Sequence, residues 1–310
     1  MGKVLRAGVI GAGVFGGYHA GKYDQLPGVT FAGAYDHHPA HAAALVAKHG
    51  GQVFASEAEL IAAVDVVSIS TPASVHAASA LAALGAGKAT YIEKPIAVSP
   101  DEAEAIVAAA RRSGLVVACG FLERAGLAAM GLFDVPEAPR LLEAVRVSPP
   151  GLRNLDVSVV LDLMIHDLDL ALALNPSSQP LAVEAEGAAI ANATPDVVEA
   201  EADFEDGFIC RFRASRVADR RERTMRLVYP SGEVRVDFLT HEFTNTTPFP
   251  LNPNFDETPA GRDKLGASIG AFLAAARGET AAPLASAIDG ARALDLALGV
   301  EQALAQQGLF

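Results

Sequence analysis

The chain has 310 residues, 51% hydrophobic and 6% aromatic, with 24 basic and 37 acidic side chains and a formal net charge of −13. That acidity argues against nucleic acid as a partner, and no apolar stretch is long and uncharged enough to span a bilayer, so no membrane association is expected. The two cysteines, Cys119 and Cys210, each sit in an apolar, strand-like run, which suits buried core thiols better than a disulfide or a metal site. With no signal-peptide core after Met-Gly-Lys-Val-Leu-Arg, the expectation is a cytoplasmic protein without a bound metal.

Taken in chain order, residues 4–10 form an apolar strand that runs directly into Gly11-Ala12-Gly13-Val14-Phe15-Gly16 and then a helix-like stretch. A second strand, 29–35, ends at Asp36, twenty residues past Gly16. Residues 39–48 read as a helix, 64–70 as a strand, 73–84 as a helix ending at Gly85, and 89–92 as a strand. Ser99 is placed to cap a helix over 100–112, with Pro100 in its first position and acids in its first turn. Residues 115–119 supply one more strand. This alternation implies a doubly wound parallel sheet with helices on both faces.

The rhythm changes near residue 120. Helices are expected over 123–132 and 157–174, with a strand over 140–147 between them. Extended runs follow at 181–192, 197–205, 207–217, 223–230 and 233–239, two pairs of which meet at the turn sequences Glu205-Asp206-Gly207 and Pro230-Ser231-Gly232. Residues 241–262 read as a loop, and Ala-rich helices near 264–277 and 285–306 close the chain. The expectation is an α/β protein of two domains. Residues 1–120 are expected to form the doubly wound parallel domain, and residues 121–310 an α/β domain with a largely antiparallel sheet.

The chemistry gathers at three places. In the first, Gly11 permits a tight turn, Gly13 lets backbone approach a pyrophosphate, Gly16 lets helix and strand pack closely, and Asp36 can accept from ribose hydroxyls. Val14 and Phe15 fall in the first helical turn, whose free N–H groups favour phosphate. No Arg or Lys follows Asp36, only His37, His38 and Pro39, so NAD is favoured over NADP. The second place comprises Ser70-Thr71-Pro72, with His76 close behind, and Glu93-Lys94-Pro95; both follow strand ends, where open α/β sheets bind ligands. The third is Asp162 and His166, four apart and therefore on one face of the expected helix. Histidines 37, 38 and 41 read as surface residues, and His19 as a packed or solvated residue of the first helix.

Together the glycine turn, Glu93-Lys94-Pro95 and the Asp-x-x-x-His helix resemble the Gfo/Idh/MocA oxidoreductases over essentially the whole chain. The resemblance implies that the first domain is a Rossmann domain and the second sheet is open, that Lys94, Asp162 and His166 form a catalytic triad, that Pro95 shapes the nicotinamide pocket, and that Thr71 and Pro72 touch the cofactor. Oxidation of a secondary alcohol by NAD+ requires a base for the hydroxyl proton. His166 suits that role with Asp162 orienting it and Lys94 polarising the reacting oxygen; a Lys94 of lowered pKa is the alternative base.

The run 157–170, with Ala214-Ser215-Arg216, is similar to the sugar-nucleotide branch that oxidises C3 of UDP-N-acetyl sugars. A diphosphate needs cations: Arg124 and Arg153 suit best, the cluster Arg216, Arg220, Arg221 and Arg223 fits either this role or a solvated strand-and-turn surface, and Asp162 and His166 also face substrate. Where the family pattern reads Gly-His-x-Glu-Arg-Phe-Asn-Pro, this chain has Phe121 for the His and Ala125-Gly126 for the Phe-Asn. A free-sugar or polyol dehydrogenase of the same family and a non-catalytic NAD-binding regulator are the other readings. The open sheet, with the family's habit, implies a homodimer or homotetramer.

Overall fold

The computed structural model describes residues 4–151 and 157–308. The chain divides into two compact units, each made of two stretches: residues 1–125 with 263–291, and 126–262 with 292–310.

The first unit is built on a six-stranded sheet of β1 (Leu5–Ile10), β2 (Val29–Tyr35), β3 (Gln52–Val53), β4 (Val66–Ile69), β5 (Ala89–Ile92) and β6 (Val117–Cys119), in the order 3-2-1-4-5-6. Every pairing in it is parallel. Helices α1 (Val14–Gln25), α2 (Pro39–His49), α3 (Glu57–Ala63), α4 (His76–Gly85) and α5 (Pro100–Ser113) connect the strands. The buried runs of β4 and β5 are apolar at nearly every position, as a sheet covered on both faces requires. Strand order reverses between β1 and β4, and such a switch point opens a crevice beyond the carboxyl ends of the strands. Ser99 caps α5 as expected, its hydroxyl accepting from the Glu102 amide, and Gly114 ends the helix in the left-handed conformation. β3 and α3, the latter capped by Ser56, escaped the periodicity reading because each is so short.

Neither unit is a single continuous stretch of chain. After α6 (Glu123–Met130) and the second sheet, the chain passes through a short helix, α8 (Pro259–Arg262), and returns to the first unit as α9 (Lys264–Ala276). Ile269, Phe272 and Leu273 of α9 join the core of β1, β2, α1 and α2. Each such side chain is worth about 1.5–3 kcal/mol when fully buried, and that is enough to fix where an otherwise generic Ala-rich helix docks.

The second unit holds a seven-stranded sheet in the order β13-β12-β11-β7-β10-β9-β8. Its strands are β7 (Leu141–Val147), β8 (Pro180–Ala188), β9 (Val197–Phe204), β10 (Ile209–Ser215), β11 (Glu222–Tyr229), β12 (Gly232–Asp237) and β13 (Phe243–Asn245). It is antiparallel apart from the β7–β10 pair. Both expected turns are present. Residues 241–262 are not all loop, since β13 pairs along the edge of β12; three residues are too few to show an alternating pattern. Helix α7 (Ile165–Leu174) packs on β10, and α10 (Ala287–Gln306) ends in this unit. One sheet face is apolar and buried, with Leu142, Ala144, Phe212, Ala214, Met225 and Leu227. The other carries a charged row in register: Glu184 beside Glu201, then Arg211, Glu143, Arg226 and Arg235. Among the described residues no helix is long and apolar enough to cross a membrane, and no cluster of side chains has the geometry to hold a metal.

Candidate active site

In the first unit the glycine turn has the form its spacing implies. Gly11 has φ +90°, and a Cβ there would lie 2.7 Å from the Ser70 carbonyl carbon and 2.8 Å from the Thr71 nitrogen. A Cβ on Gly16 would lie only 1.9 Å from the Gly11 carbonyl oxygen. These two glycines are what let the turn, α1 and the end of β4 close on one another. Gly13, by contrast, is exposed, and a Cβ on it would meet nothing within 4 Å. No side chain caps α1 at Gly13, so its first-turn N–H groups remain available to an anion. Val14 and Phe15 are exposed at that helix start.

Asp36 stands at the end of β2 with its carboxylate aimed by two backbone amides, Ala12 N at 2.7 Å and His38 N at 2.8 Å. His41 Nδ1 lies 3.4 Å from the same group. A carboxylate in this place accepts from ribose hydroxyls and repels a 2′-phosphate. Two further atoms point to a ligand: the buried hydroxyls of Ser70 and Thr71 find no hydrogen-bond partner among the described residues. An uncapped helix start, an open Gly13, an aimed acid and two waiting hydroxyls together fit a dinucleotide.

Around Glu93-Lys94-Pro95 the packing is tighter. Glu93 is buried and takes a hydrogen bond from His19 Nε2 at 2.8 Å. Lys94 is half-buried and is joined to Pro95 by a cis peptide bond. His76, expected among the cofactor-contacting residues, is itself 1% exposed. Its ring lies between the Thr71 and Pro95 carbonyls, so it supports the two turns, while Pro72 is exposed.

In the second unit Asp162 and His166 do not lie on a regular helix. A π-helical turn, Val160–Met164, contains Asp162 and runs into α7, which His166 enters at its second residue. The i, i+4 rule assumes α-helical winding, and a π turn widens it; such bulges recur at functional sites. Both side chains are half-buried, and the Nδ1 atom of His166 is shut off from solvent. Next to His166, Asp167 forms a buried two-bond pair with Arg146 of β7, at 2.9 and 2.8 Å, which ties this helix to the sheet. At the other end of the turn Ser158 hydrogen-bonds Glu301 of α10.

The expected diphosphate ligands fare differently. Arg124 is 7% exposed and already committed, to Asp289 at 3.2 Å and to the Leu284 carbonyl at 3.1 Å. Arg153 lies outside the described residues. Arg216 is likewise engaged, to Asp196 and the Val157 carbonyl, both at 2.7 Å. The acids that neutralise these arginines are Asp289, far from Arg124 in sequence, and Asp196, near Arg216 only across a hairpin, so neither pairing shows in local sequence. Of the departures at 120–127, Phe121 is buried at 1% and Ala125 at 1%, so both pack into the unit.

Comparison with known proteins agrees with this geometry. Residues 5–121 match the oxidoreductase family with an NAD-binding Rossmann fold. A UDP-N-acetylglucosamine 3-dehydrogenase of Acidithiobacillus ferrooxidans is 38% identical over 277 residues, 87% of this chain and 88% of that one. The chain belongs to the Gfo/Idh/MocA oxidoreductase family. It is an NAD-dependent oxidoreductase. A solved structure of the same Acidithiobacillus enzyme superposes with a TM-score of 0.90 at 36% identity, covering 97% of both chains. An inositol 2-dehydrogenase of Cereibacter sphaeroides is 32% identical over 176 residues, 54% of this chain and 52% of that one.

Proposed function

We propose that the chain oxidises a secondary alcohol of a sugar nucleotide, the C3 hydroxyl of a UDP-N-acetyl sugar, to the keto sugar. The observation that carries this reading is the 38% identity to a UDP-N-acetylglucosamine 3-dehydrogenase across 87% of the chain. Identity to inositol dehydrogenases of the family covers only about half of it, which makes a free polyol the second reading.

NAD+, when bound, accepts the hydride. In this reading His166 takes the hydroxyl proton, Asp162 orients the imidazole and Lys94 polarises the reacting oxygen; the π turn sets the spacing of the first two. Gly11, Gly13, Val14, Phe15 and Gly16 hold the pyrophosphate, Asp36 the adenosine ribose, and Ser70, Thr71 and Pro72 the segment between, with Glu93, Lys94 and Pro95 at the nicotinamide end. With Arg124 paired to Asp289, Arg153 is the remaining one of the two best candidates for the substrate diphosphate.

The test is absorbance at 340 nm with NAD+ and UDP-N-acetylglucosamine, coupled to an aminotransferase that removes the product. NADH formation lost in His166→Ala and Lys94→Ala, with a raised KM in Arg153→Glu, supports the reading. NADH formation with inositol and none with the sugar nucleotide moves it to the polyol branch.

The charged face of the second sheet bears on assembly. It frames a groove of about 1090 Å³ with Glu184, Glu186, Glu199 and Glu201 on β8 and β9, and Arg211, Arg213, Arg226 and Arg235 further across among Glu143, Asp237 and Glu242; the arginines pair with acids of the same chain, Arg211 with Glu201 at 2.6 Å and Arg226 with Glu143 at 2.8 Å, so the face alternates in sign. Such a face is self-complementary under a two-fold axis, so a second copy of this chain is its occupant. Light scattering on the native chain and on Arg226→Glu/Arg235→Glu checks this; a native monomer refutes it.

A further inference from the structure

Two buried histidines hold the Glu93-Lys94-Pro95 turn, and their hydrogen-bond inventories differ. His19 of α1 is fully buried, with Nε2 at 2.8 Å from Glu93 Oε1 and Nδ1 at 2.8 Å from Ser68 Oγ. A carboxylate accepts only, so Nε2 carries the proton. Nδ1 then accepts from the Ser68 hydroxyl, which in turn accepts from the Tyr23 hydroxyl. Burial pushes the Tyr23 phenol well up, which keeps its proton in place. Tyr23, Ser68, His19 and Glu93 therefore form one directed chain, and the neutral imidazole satisfies it completely.

His76 cannot do the same. Its Nδ1 lies 2.8 Å from the Pro95 carbonyl oxygen and its Nε2 lies 2.9 Å from the Thr71 carbonyl oxygen. Both partners accept only, while a neutral imidazole has a single N–H. The neutral ring makes one bond and turns a lone pair on the other carbonyl; the imidazolium makes both. Burial lowers the pKa of His76, and the carbonyls of Pro95 and Thr71 and the charge of Glu93 oppose it, leaving the ring below the ordinary histidine range. The second proton therefore arrives only at a pH below that of an ordinary histidine. Glu93 is the charged group acting on the ring from the β5 turn, Lys94 shares that turn, the Thr71 turn after β4 is uncharged, and α4 carries no other titratable side chain.

These contacts link the pieces that shape the cofactor site. The Thr71 backbone abuts Gly11, the His76 ring joins Thr71 to Pro95, and His19 fixes Glu93. We propose that His19 and His76 are positioning residues that clamp the turn carrying Lys94 from two helices, and that the His76 half closes fully only when its ring is doubly protonated. The bearing on turnover rests on the catalytic reading of Lys94; the bearing on NADH binding does not.

The experiment has two parts on the full chain. Ring 15N shifts of histidine-labelled protein are followed from pH 8 to pH 5.5, with His76 assigned by its loss in His76→Gln. NADH affinity is measured by fluorescence over the same range. The expected result is a His76 ring that gains its second proton on acidification. NADH affinity should rise about threefold to tenfold, the worth of one hydrogen bond. His76→Gln should flatten that rise, whereas the histidines beside Asp36, present in both proteins, contribute equally to each. A His76 ring that stays singly protonated throughout, or a His76→Gln protein that keeps the native pH dependence of NADH binding, overturns the proposal. The shift measurement needs only the native chain for its titration curve, and it separates failure of the clamp from failure of the Lys94 assignment, which the turnover of Lys94→Ala decides.

Discussion

Gly13→Ala and Gly16→Ala form a matched pair that separates a glycine kept for a ligand from one kept for the fold. At Gly13 the backbone has φ −73°, which any residue adopts, and an added methyl meets nothing within 4 Å. Alanine there should change the melting temperature of the cofactor-free protein by no more than a degree or two. The methyl does occupy the space through which a pyrophosphate approaches the start of α1, and an amide-to-phosphate hydrogen bond is worth about 1.5–3 kcal/mol. The dissociation constant for NADH should therefore rise about tenfold to a hundredfold. At Gly16 the same methyl sits 1.9 Å from the Gly11 carbonyl oxygen, so helix and turn must separate by more than an ångström. Such overpacking costs about 1–3 kcal/mol, which is about 2–12 °C at the usual 2–4 °C per kcal/mol for a chain of this size. Differential scanning calorimetry without cofactor and NADH titration calorimetry read the two quantities separately. Equal melting losses in both variants, or native NADH affinity in Gly13→Ala, would refute the division of labour between the two glycines.

The Arg146–Asp167 pair, with side chains 4% and 6% exposed, is predicted to be costly to break: Arg146→Met leaves a buried charge and should lose about 3–5 kcal/mol in chemical denaturation, while Arg146→Met/Asp167→Leu should recover most of it. A single variant as stable as the native chain contradicts this. Burial raises the Glu301 carboxyl above its ordinary range against an opposing hydrogen bond from Ser158. A raised carboxyl stabilises the fold while protonated, and that contribution fades as pH rises through the folded-state value. Glu301→Gln should accordingly melt above the native chain at pH 8 and level with it near pH 4; a lower melting point at pH 8 counts against it. Asp196 is the reverse case, since burial opposes its ionisation but donors from Asn192, Ala191, Arg216 and Ile190 prevail and hold the carboxyl far below the usual range. Its contribution is present at neutral pH and disappears as pH falls through the folded-state value, so Asp196→Asn should be destabilised at pH 7 and show a shallower acid transition. An unchanged acid transition sinks that account.

The features legible in the sequence are those whose causes lie within a few residues. The strand, Gly11–Gly16 and Asp36 spacing reflects local steric demands, Ser99 and Pro100 start α5 through one cap, and Gly207 and Gly232 turn hairpins through their own backbone conformation. Lys94, Asp162 and His166 were singled out through the family resemblance, on motifs each only a few residues long. The tertiary structure decided whatever depends on partners remote in sequence. Arg124 is spent on Asp289, Arg216 on Asp196, and α9 returns to the first unit because Ile269, Phe272 and Leu273 find an apolar core there. The π turn under Asp162 and the two carbonyls around His76 belong to the same class. Neither leaves a local signature, because winding and hydrogen-bond direction at those positions are set by packing across the sheet and by the turns of neighbouring strands rather than by the residues themselves.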